Sequence, residues 1–451
     1  MKRSLIVFAS GLSLLFSISL WAAPEKKPTG FILNDQAGAF KQAKAENKLL
    51  MIDFFGIWCP PCNQLDEHVF TAPSFAKQTD GFVKLKLDAD ADVSWELKSK
   101  FKIQGYPTVV FATAEGDEIG RVVGYRALPL FLREAAKASK RRDESFAKLV
   151  AAAEKGDSKA AAKVGSMEFD RGNYAEAKKF LTASKGAAKD KRLAEKIAMA
   201  DVELLEEKAE SGSKDAEAAL VAALERSVKD FPGTPDSVDR RSTLADKYAA
   251  AGKADAAKAT RKETIRVAED LISHPKRLEG LDYTVADLRQ WVAMTFESDG
   301  DVAAAKAAWR TAAKEYRGLM KTDDERGYSL ELAYCLWKSG DVAGAEAVYK
   351  KFEGLYPNEF TFYHAHANMD FELKKYDEAL ALQEKAFAYS YGDNKLRAGY
   401  NLARILKTQG KKKEAIAAAE KTLAEVKLPA DTSIRSHRSA KRLRKLIDEL
   451  S

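Results

Sequence analysis

The sequence predicts an α/β domain followed by an all-α array of helical repeats. An apolar run at residues 49–55 is typical of a buried strand, and it leads into a Cys-x-x-Cys motif that opens a helical stretch. After residue 137 the pattern changes abruptly to alanine-rich helices, and a short glycine-to-alanine signature then recurs. At 451 residues the chain is too long for one small core, which suggests two or three domains.

The motif Cys59-Pro60-Pro61-Cys62 places two thiols where they can close into one small, reversible disulfide. Cys59 should face the N-terminus of the helix, where unpaired amides and the helix dipole favour a thiolate, so we expect it to be the more exposed and more acidic thiol. A zinc site needs four ligands, but the chain offers only one further cysteine, Cys335, and no second Cys-x-x-Cys. The motif therefore favours a redox site, with structural and metal-binding roles as the alternatives.

Parts of this region resemble thioredoxins, and they occur in the same order along the chain. They are a central strand with its active-site turn at residues 49–59, the next strand at 82–88, a loop and strand at 103–111, and Gly124 beyond them. Residues 66–75 are more similar still to the C-terminal domain of the DsbD-type interchange proteins of the bacterial envelope. The resemblance covers residues 29–138 and implies a thioredoxin fold with thiol–disulfide oxidoreductase activity.

The resemblance also implies catalytic roles for individual residues. Cys59 is expected to attack a substrate disulfide, and Cys62 is expected to resolve the mixed disulfide that forms. Asp53 matches the family's buried acid, which would take the proton of Cys62; a tolerated strand aspartate is the alternative. Lys84 matches the lysine that pairs with this acid, unless it is a solvated strand residue.

Trp58, Tyr106 and Pro107 are expected to face the substrate. Pro107 matches the proline that is cis in the family, and it would present the backbone of Tyr106 to an extended substrate beside the sulfur atoms. Trp58 would shield the disulfide, with ordinary packing as the alternative. Tyr106 is bulkier than the residue that some family members carry there, which leaves the substrate preference open.

Residues 1–22 have the pattern of a secretory signal peptide. Two basic residues, Lys2 and Arg3, precede an apolar stretch at residues 5–21, and cleavage is expected after Ala22. We therefore expect a periplasmic or otherwise extracytoplasmic protein with no stable membrane span after cleavage; an uncleaved anchor is the alternative. Export also agrees with the low cysteine count, because spare thiols could mispair in an oxidising compartment.

The composition argues against several other classes of protein. The net charge is +7, or +5 without Lys2 and Arg3, which is mild for this length and does not indicate a nucleic-acid partner. No G-x-G tripeptide occurs, so the chain lacks a dinucleotide-binding fingerprint. We expect no metal and no cofactor beyond the Cys59–Cys62 disulfide, and electrons should come from a separate donor protein.

The second part of the chain carries a repeated signature, in which an alanine follows a turn residue at a similar distance in each copy. The later copies are about 34 to 40 residues apart, and the first gap holds two such periods. Each signature alanine follows another small residue by twelve positions; the pairs are Gly165 and Ala177, Ala245 and Ala257, Ala293 and Ala305, Ala333 and Ala345, Ala367 and Ala379, Ala403 and Ala415. This pattern resembles tetratricopeptide (TPR) repeats and implies a TPR-like helical solenoid.

We expect residues 139–150 to form a linker or helix boundary and residues 151–451 to form the TPR-like domain. Stacked helix pairs present a concave face, which could bind protein or peptide ligands; a spacer that positions the redox domain is the alternative. Cys335 falls within a helix by repeat register, which favours buried packing over a third redox thiol. His364 and His366 are two apart on a helix, so their rings diverge and a metal site is not expected.

The function predicted from the sequence is that of an exported protein-disulfide reductase with a TPR-like partner-binding domain. Its substrates would be proteins with disulfides. Pro60 and Pro61 lack backbone N–H groups, so the Cys59 thiolate gains limited stabilisation and the protein should donate electrons. Two alternatives remain open: a disulfide oxidase or isomerase, and a TPR scaffold whose thioredoxin domain senses redox state.

Overall fold

A computed structural model describes residue 28 and residues 30–210, 212–281, 283–432 and 434–451. The predicted fold class is confirmed, because a domain built on a five-stranded sheet precedes a long array of helices. The predicted signal peptide, residues 1–22, lies outside the described residues. No helix within the described ranges is long and apolar enough to span a bilayer.

The α/β domain alternates strands and helices as far as the end of α5. Its strands are β1 (Phe31–Leu33), β2 (Leu49–Phe55), β3 (Phe82–Asp88), β4 (Thr108–Ala112) and β5 (Glu118–Val123). Its helices are α1 (Gln36–Glu46), α2 (Pro60–Leu65), α3 (Pro73–Gln78), α4 (Trp95–Phe101) and α5 (Leu128–Lys140), with a π-helical turn at Asp66–Phe70 and a 3₁₀ turn at Asp92–Ser94.

The sheet has the strand order β1-β3-β2-β4-β5 and is mixed. β1, β3 and β2 are parallel, and the last two strands are antiparallel to their neighbours. β2 and β4 are buried over nearly their whole lengths because helices cover both faces of the sheet. One face packs on Phe75 and Phe131, and the other packs on Ala39 and Phe101. This core holds the end of β2, and therefore the Cys-x-x-Cys turn, in a fixed position.

The remaining described helices form the repeat domain. They are α6 (Phe146–Glu154), α7 (Ser158–Asp170), α8 (Tyr174–Ala183), α9 (Lys191–Glu210), α10 (Lys214–Asp230), α11 (Pro235–Ala250), α12 (Ala254–Ser273), α13 (Val285–Ser298), α14 (Val302–Leu319), α15 (Ser329–Ser339), α16 (Val342–Leu355), α17 (Phe360–Glu372), α18 (Tyr376–Tyr389), α19 (Gly392–Thr408), α20 (Lys412–Glu425) and α21 (Ser436–Leu450). Helices that are consecutive in the chain pack against each other.

The small residues of the signature lie where the helices of a pair approach most closely. All twelve of them, from Gly165 and Ala177 to Ala403 and Ala415, are buried. The pair α9 and α10 lies between the first two signature copies, which confirms that this gap holds two periods. Cys335 is buried in α15, as predicted for a packing residue, and burial raises the pKa of its thiol.

Residues in the left-handed backbone conformation form the turns between the two helices of a pair. Gly252, Gly300, Gly340 and Gly410 have φ between 73° and 97°, a region that glycine adopts without steric cost. Lys374 occupies the corresponding place before α18 with φ of 62°. The turn therefore requires a positive φ, which Lys374 also adopts. The repeat signature is harder to recognise in the sequence where glycine is absent.

The repeat domain contacts the α/β domain at both ends of the array. Near its start, Arg171 of the α7–α8 turn donates to Glu118 of β5 at 2.6 Å, and Glu118 also accepts from Arg121. Near its end, Arg435 before α21 donates to Asp90, which follows β3, at 3.0 Å. The array thus leaves the sheet at β5 and returns to the face that carries the Cys-x-x-Cys turn.

Candidate redox site

Cys59 and Cys62 form a disulfide at the point where β2 leads into α2. The sulfur atoms are 2.13 Å apart, and the Cα atoms are 5.2 Å apart. Cys59 is the N-cap of α2, and its Sγ accepts a hydrogen bond from the Cys62 backbone N–H at 3.3 Å. Pro60 and Pro61 occupy the first helical turn, where a missing N–H breaks no intrahelical bond. The Cys59 sulfur therefore lies at the positive end of the helix, where a thiolate is favoured.

Both cysteines are buried, and each is only 2% exposed. The prediction that Cys59 is the more exposed thiol was therefore wrong. It considered the α/β domain alone, in which the N-terminus of α2 would face solvent. In the full chain the repeat domain covers this end of the sheet.

Asp53 lies on β2, six residues before Cys59 in the chain, and pairs with Lys86. Its Oδ2 is 2.8 Å from Lys86 Nζ, and the side chain is 2% exposed. The expected pairing with Lys84 was wrong because β2 and β3 are parallel in a register that sets Asp53 opposite Lys86 and Met51 opposite Lys84. Lys84 instead places its Nζ 5.8 Å from the centroid of a phenylalanine ring.

Lys86 also binds a second carboxylate, that of Asp66, at 2.6 Å. The π-helical turn after α2 brings Asp66 back over the sheet, and such turns are frequent at functional sites. Burial acts to lower the pKa of Lys86, but the carboxylates of Asp53 and Asp66 outweigh burial and raise it. Burial raises the pKa of Asp66 to about 6, although Lys86 opposes the shift. The second oxygen of Asp53, Oδ1, is buried without a hydrogen-bond partner among the described residues.

Trp58, Tyr106 and Pro107 lie together beside the disulfide turn. The rings of Trp58 and Tyr106 meet edge to face with centroids 6.0 Å apart, and the Tyr106–Pro107 peptide bond is cis. The indole N–H of Trp58 donates to Asp90 Oδ2 at 2.6 Å. Trp58 also packs against an apolar patch of α17 and α18 formed by Phe360, Tyr363, Leu382 and Ala386. Trp58 thus has a packing role in the contact between the domains.

Sequence reasoning missed three charged residues near the disulfide turn. They are Lys86, Asp90 and Arg435. Lys86 could have been found from the sequence if strand register had been considered, because it lies only two residues beyond Lys84 on the same face of β3. No local pattern signals Asp90 and Arg435, which are 345 residues apart in the chain.

Two clusters among the described residues have the composition of a metal site. The first joins Glu67, His68 and Glu325, but both Glu67 oxygens already accept backbone N–H groups. The second is formed by Glu346, His366 and Asp370 on α16 and α17. There the Lys375 ammonium lies 2.9 Å from Glu346 and 3.6 Å from Asp370. Its positive charge pairs with the two carboxylates in the way that a metal ion would. His364 is not part of this cluster, and burial lowers its pKa to about 3.

The α/β domain also matches known proteins. Residues 36–138 match a family model described as a thioredoxin-like domain. The H-type thioredoxin of Brassica campestris is 34% identical over 111 residues, an alignment that covers 23% of this chain and 83% of that protein. The chain belongs to the thioredoxin family. Its α/β domain is a thioredoxin domain, and Cys59 and Cys62 occupy the turn at which that domain carries its disulfide.

Two further proteins are similar to parts of this chain. The thiol:disulfide interchange protein DsbD of Cronobacter sakazakii is 34% identical over 93 residues, which are 20% of this chain. The chain spans only 16% of that relative's length. A tetratricopeptide repeat protein from Parabacteroides merdae covers 64% of this chain and is itself covered over 98%, at 13% identity and a TM-score of 0.38.

We predict that Lys86→Met destabilises the thioredoxin domain much more than Lys84→Met. Removing Lys86 leaves two buried or partly buried carboxylates without a cation, a loss of about 3–5 kcal/mol for a broken buried pair. Lys84→Met, at a partly exposed site, should change stability by about 0.5 kcal/mol or less. Urea unfolding followed by circular dichroism measures both, and equal losses would contradict the Lys86 assignment.

The decrease in the free energy of unfolding caused by Lys86→Met should also depend on pH. A carboxyl whose pKa is raised in the folded state binds its proton more tightly there, so folding is favoured at this group as the pH falls. The pKa of Asp66 is already about 6 in the native protein. The free energy of unfolding of Lys86→Met should therefore differ less from that of the unsubstituted protein at about pH 5 than at about pH 8.

Proposed function

We propose that this protein is a protein-disulfide reductase that exchanges electrons through Cys59 and Cys62. The observation that carries the proposal is the position of the Cys59 sulfur, at the N-terminus of a helix in a thioredoxin domain, bonded to a second cysteine three residues later. The relative from Cronobacter sakazakii, a thiol:disulfide interchange protein, supports the same chemistry.

The reaction would transfer two electrons in two exchange steps. In the reduced protein, the Cys59 thiolate attacks one sulfur of a substrate disulfide. A new S–S bond joins Cys59 to the substrate, and the other substrate sulfur leaves as a thiolate and is protonated. Cys62 then loses its proton and attacks Cys59 Sγ, which re-forms the Cys59–Cys62 bond and releases the second substrate thiol. A dithiol on a donor protein restores the reduced state.

Asp53 would be the group that takes the proton of Cys62. It is the buried carboxylate at the end of β2, and its Oδ1 has no other partner among the described residues. Lys86 holds the opposite oxygen and so fixes the orientation of the carboxylate. Tyr106 and Trp58 would contact the substrate from the other side of the sulfur atoms, where their rings lie together.

The proposal also includes export of the protein and binding of a partner by the repeat domain. The signal-peptide pattern of residues 1–22 and the similarity to the DsbD protein support a periplasmic or otherwise extracytoplasmic location. The repeat domain supplies a large surface of stacked helices on which a protein or peptide partner could bind beside the redox site.

We expect a Cys62→Ala variant to accumulate a mixed disulfide through Cys59. Without the resolving thiol, the adduct between Cys59 and a disulfide substrate cannot break down by the second step. Oxidised glutathione and insulin serve as a small and a large disulfide, and mass spectrometry before and after reduction identifies the adduct. Cys335→Ala is the control, because this buried thiol should leave insulin reduction unchanged. Absence of adduct with either disulfide would contradict the proposal.

The reduction potential distinguishes a reductase from an oxidase. Only the Cys62 N–H donates to the Cys59 sulfur among the described residues, and the two prolines supply no further donor. Weak stabilisation of the thiolate destabilises the reduced form, so equilibration with glutathione should give a potential more negative than about −180 mV. A value near about −120 mV would favour the oxidase alternative.

A further inference from the structure

The repeat domain occupies the face through which a substrate would reach the disulfide. Trp58 and Tyr106, which are proposed to contact the substrate, both lie beneath the Arg435 guanidinium. Its carbon atom is 4.4 Å from the Trp58 ring centroid and 5.6 Å from that of Tyr106. A second guanidinium, that of Arg397 on α19, is 5.4 Å from the Trp58 ring. Next to these side chains, the two cysteines are only 2% exposed.

One edge of this face is held by the turn between α14 and α15. Glu67 accepts the backbone N–H groups of Arg326 and Gly327 at 2.7 and 3.0 Å. Gln64 donates to the Gly327 carbonyl at 2.8 Å. The Arg326 side chain in turn donates to the Ile57 carbonyl, next to the disulfide turn, at 2.7 Å. Several hydrogen bonds between side chains and backbone groups therefore attach this edge of the repeat domain to the thioredoxin domain.

At the opposite edge the thioredoxin domain offers two carboxylates, Asp90 and Asp88, and Ser99 donates to Asp431 ahead of α21. Besides the Trp58 indole, Asp90 accepts from the Asn394 amide at 2.5 Å and from Arg435 at 3.0 Å. Arg435 also donates to Asp393 at 2.9 Å, which ties α21 to α19. We call α19, α21 and the residues Tyr391 and Arg435 the cover. Its bonds to the thioredoxin domain converge on Asp90 and on Asp88, which binds the Tyr391 hydroxyl.

The fit between the cover and the thioredoxin domain is close. Gly392, the first residue of α19, has φ of 52°, and a Cβ atom at this position would overlap the Asp90 carbonyl oxygen. Glycine is thus required here by the approach of the two backbones as well as by conformation. The cover leaves no room for a second polypeptide between α19 and the end of β3.

A mixed disulfide needs the substrate sulfur at a bonding distance of about 2.05 Å from Cys59 Sγ. A substrate chain that contacts Trp58 and Tyr106, as proposed above, would have to lie where Arg435 now lies. We propose that the structure shows a closed state and that the cover must separate from Asp90 before a protein disulfide can reach Cys59. This inference rests on the proposed thiol–disulfide exchange, and it makes the Asp90–Arg435 pair a latch for the redox site.

The cover is also the part of the array that can move most simply. Helical repeats contact mainly their neighbours, so the last helices can rotate without rearranging the rest of the array. The edge at Arg326 and Gly327 would remain attached, because its bonds do not involve the cover. Opening would then expose Cys59 along one side only.

Labelling of Cys59 in the reduced full-length protein tests the latch. The probes are N-ethylmaleimide, which is small, and the same maleimide group carried on a long polyethylene glycol chain; mass spectrometry identifies the labelled cysteine. Arg435→Gln removes the latch charge, and Gly392→Ala forces the backbones apart without changing charge. Each should raise the rate of labelling by the large probe about tenfold or more, because the open fraction sets the observed rate.

Matched controls separate opening from general destabilisation. Arg444→Gln alters an exposed arginine on the same helix, α21. Gly410→Ala imposes a similar backbone penalty, at φ of 75°, where a Cβ atom meets nothing within 4 Å. Both controls should label at the native rate, and thermal unfolding should show that all four variants are folded. If Gly392→Ala does not fold, Arg435→Gln decides the outcome.

The result that would overturn the latch is native protein that reacts with the large probe as fast as with the small one. Equal rates in the latch and control variants would overturn it as well. Labelling reports access and insulin reduction reports exchange, so the two proposals fail separately. Faster labelling without insulin reduction in any variant would support the cover and reject the reductase, whereas faster labelling with faster insulin reduction supports both.

Discussion

The Asp90 carboxylate accepts hydrogen bonds from both domains at once. Trp58 approaches it from the disulfide turn, and Asn394 and Arg435 approach it from the repeat domain. Burial raises the pKa of Asp90 to about 6, and Arg435 opposes that shift, so the ionised form depends on the contact between the domains. Asp90 thus joins the cover and Trp58 of the disulfide turn through one shared acceptor.

Two buried charge clusters lie near the disulfide turn, and they differ in their position in the fold. Lys86 sits between Asp53 and Asp66 inside the thioredoxin domain, where strand register and the π-helical turn fix all three side chains. In the proposed mechanism that cluster serves the deprotonation of Cys62. Asp90 and Arg435 lie between the domains, where separation would return both charges to water. A charge pair of this kind has a smaller net contribution to stability than its bonds suggest, which suits a contact that has to open.

Local sequence patterns predicted the parts of the structure that depend on local geometry. Cys59 at the N-cap of α2 and the buried small residues such as Ala345 follow from helix termini and helix-pair spacing. The partner of Asp53 was placed two residues too early, because strand register depends on the pairing of β2 and β3. The contact of the repeat domain with the disulfide turn could not be predicted, since Arg435 and Asp90 are 345 residues apart in the chain.

The central claim is that the repeat domain is docked on the redox face in solution. Hydrogen exchange at the turn between α14 and α15 tests it most directly, because the amides of Arg326 and Gly327 donate to Glu67 across the contact. Docking predicts that these two amides exchange at least about tenfold more slowly than that of the exposed Asp324 in the same turn, and that Glu67→Ala removes the difference. Equally fast exchange at all three positions in the native protein would show that the domains are apart, and would contradict the account.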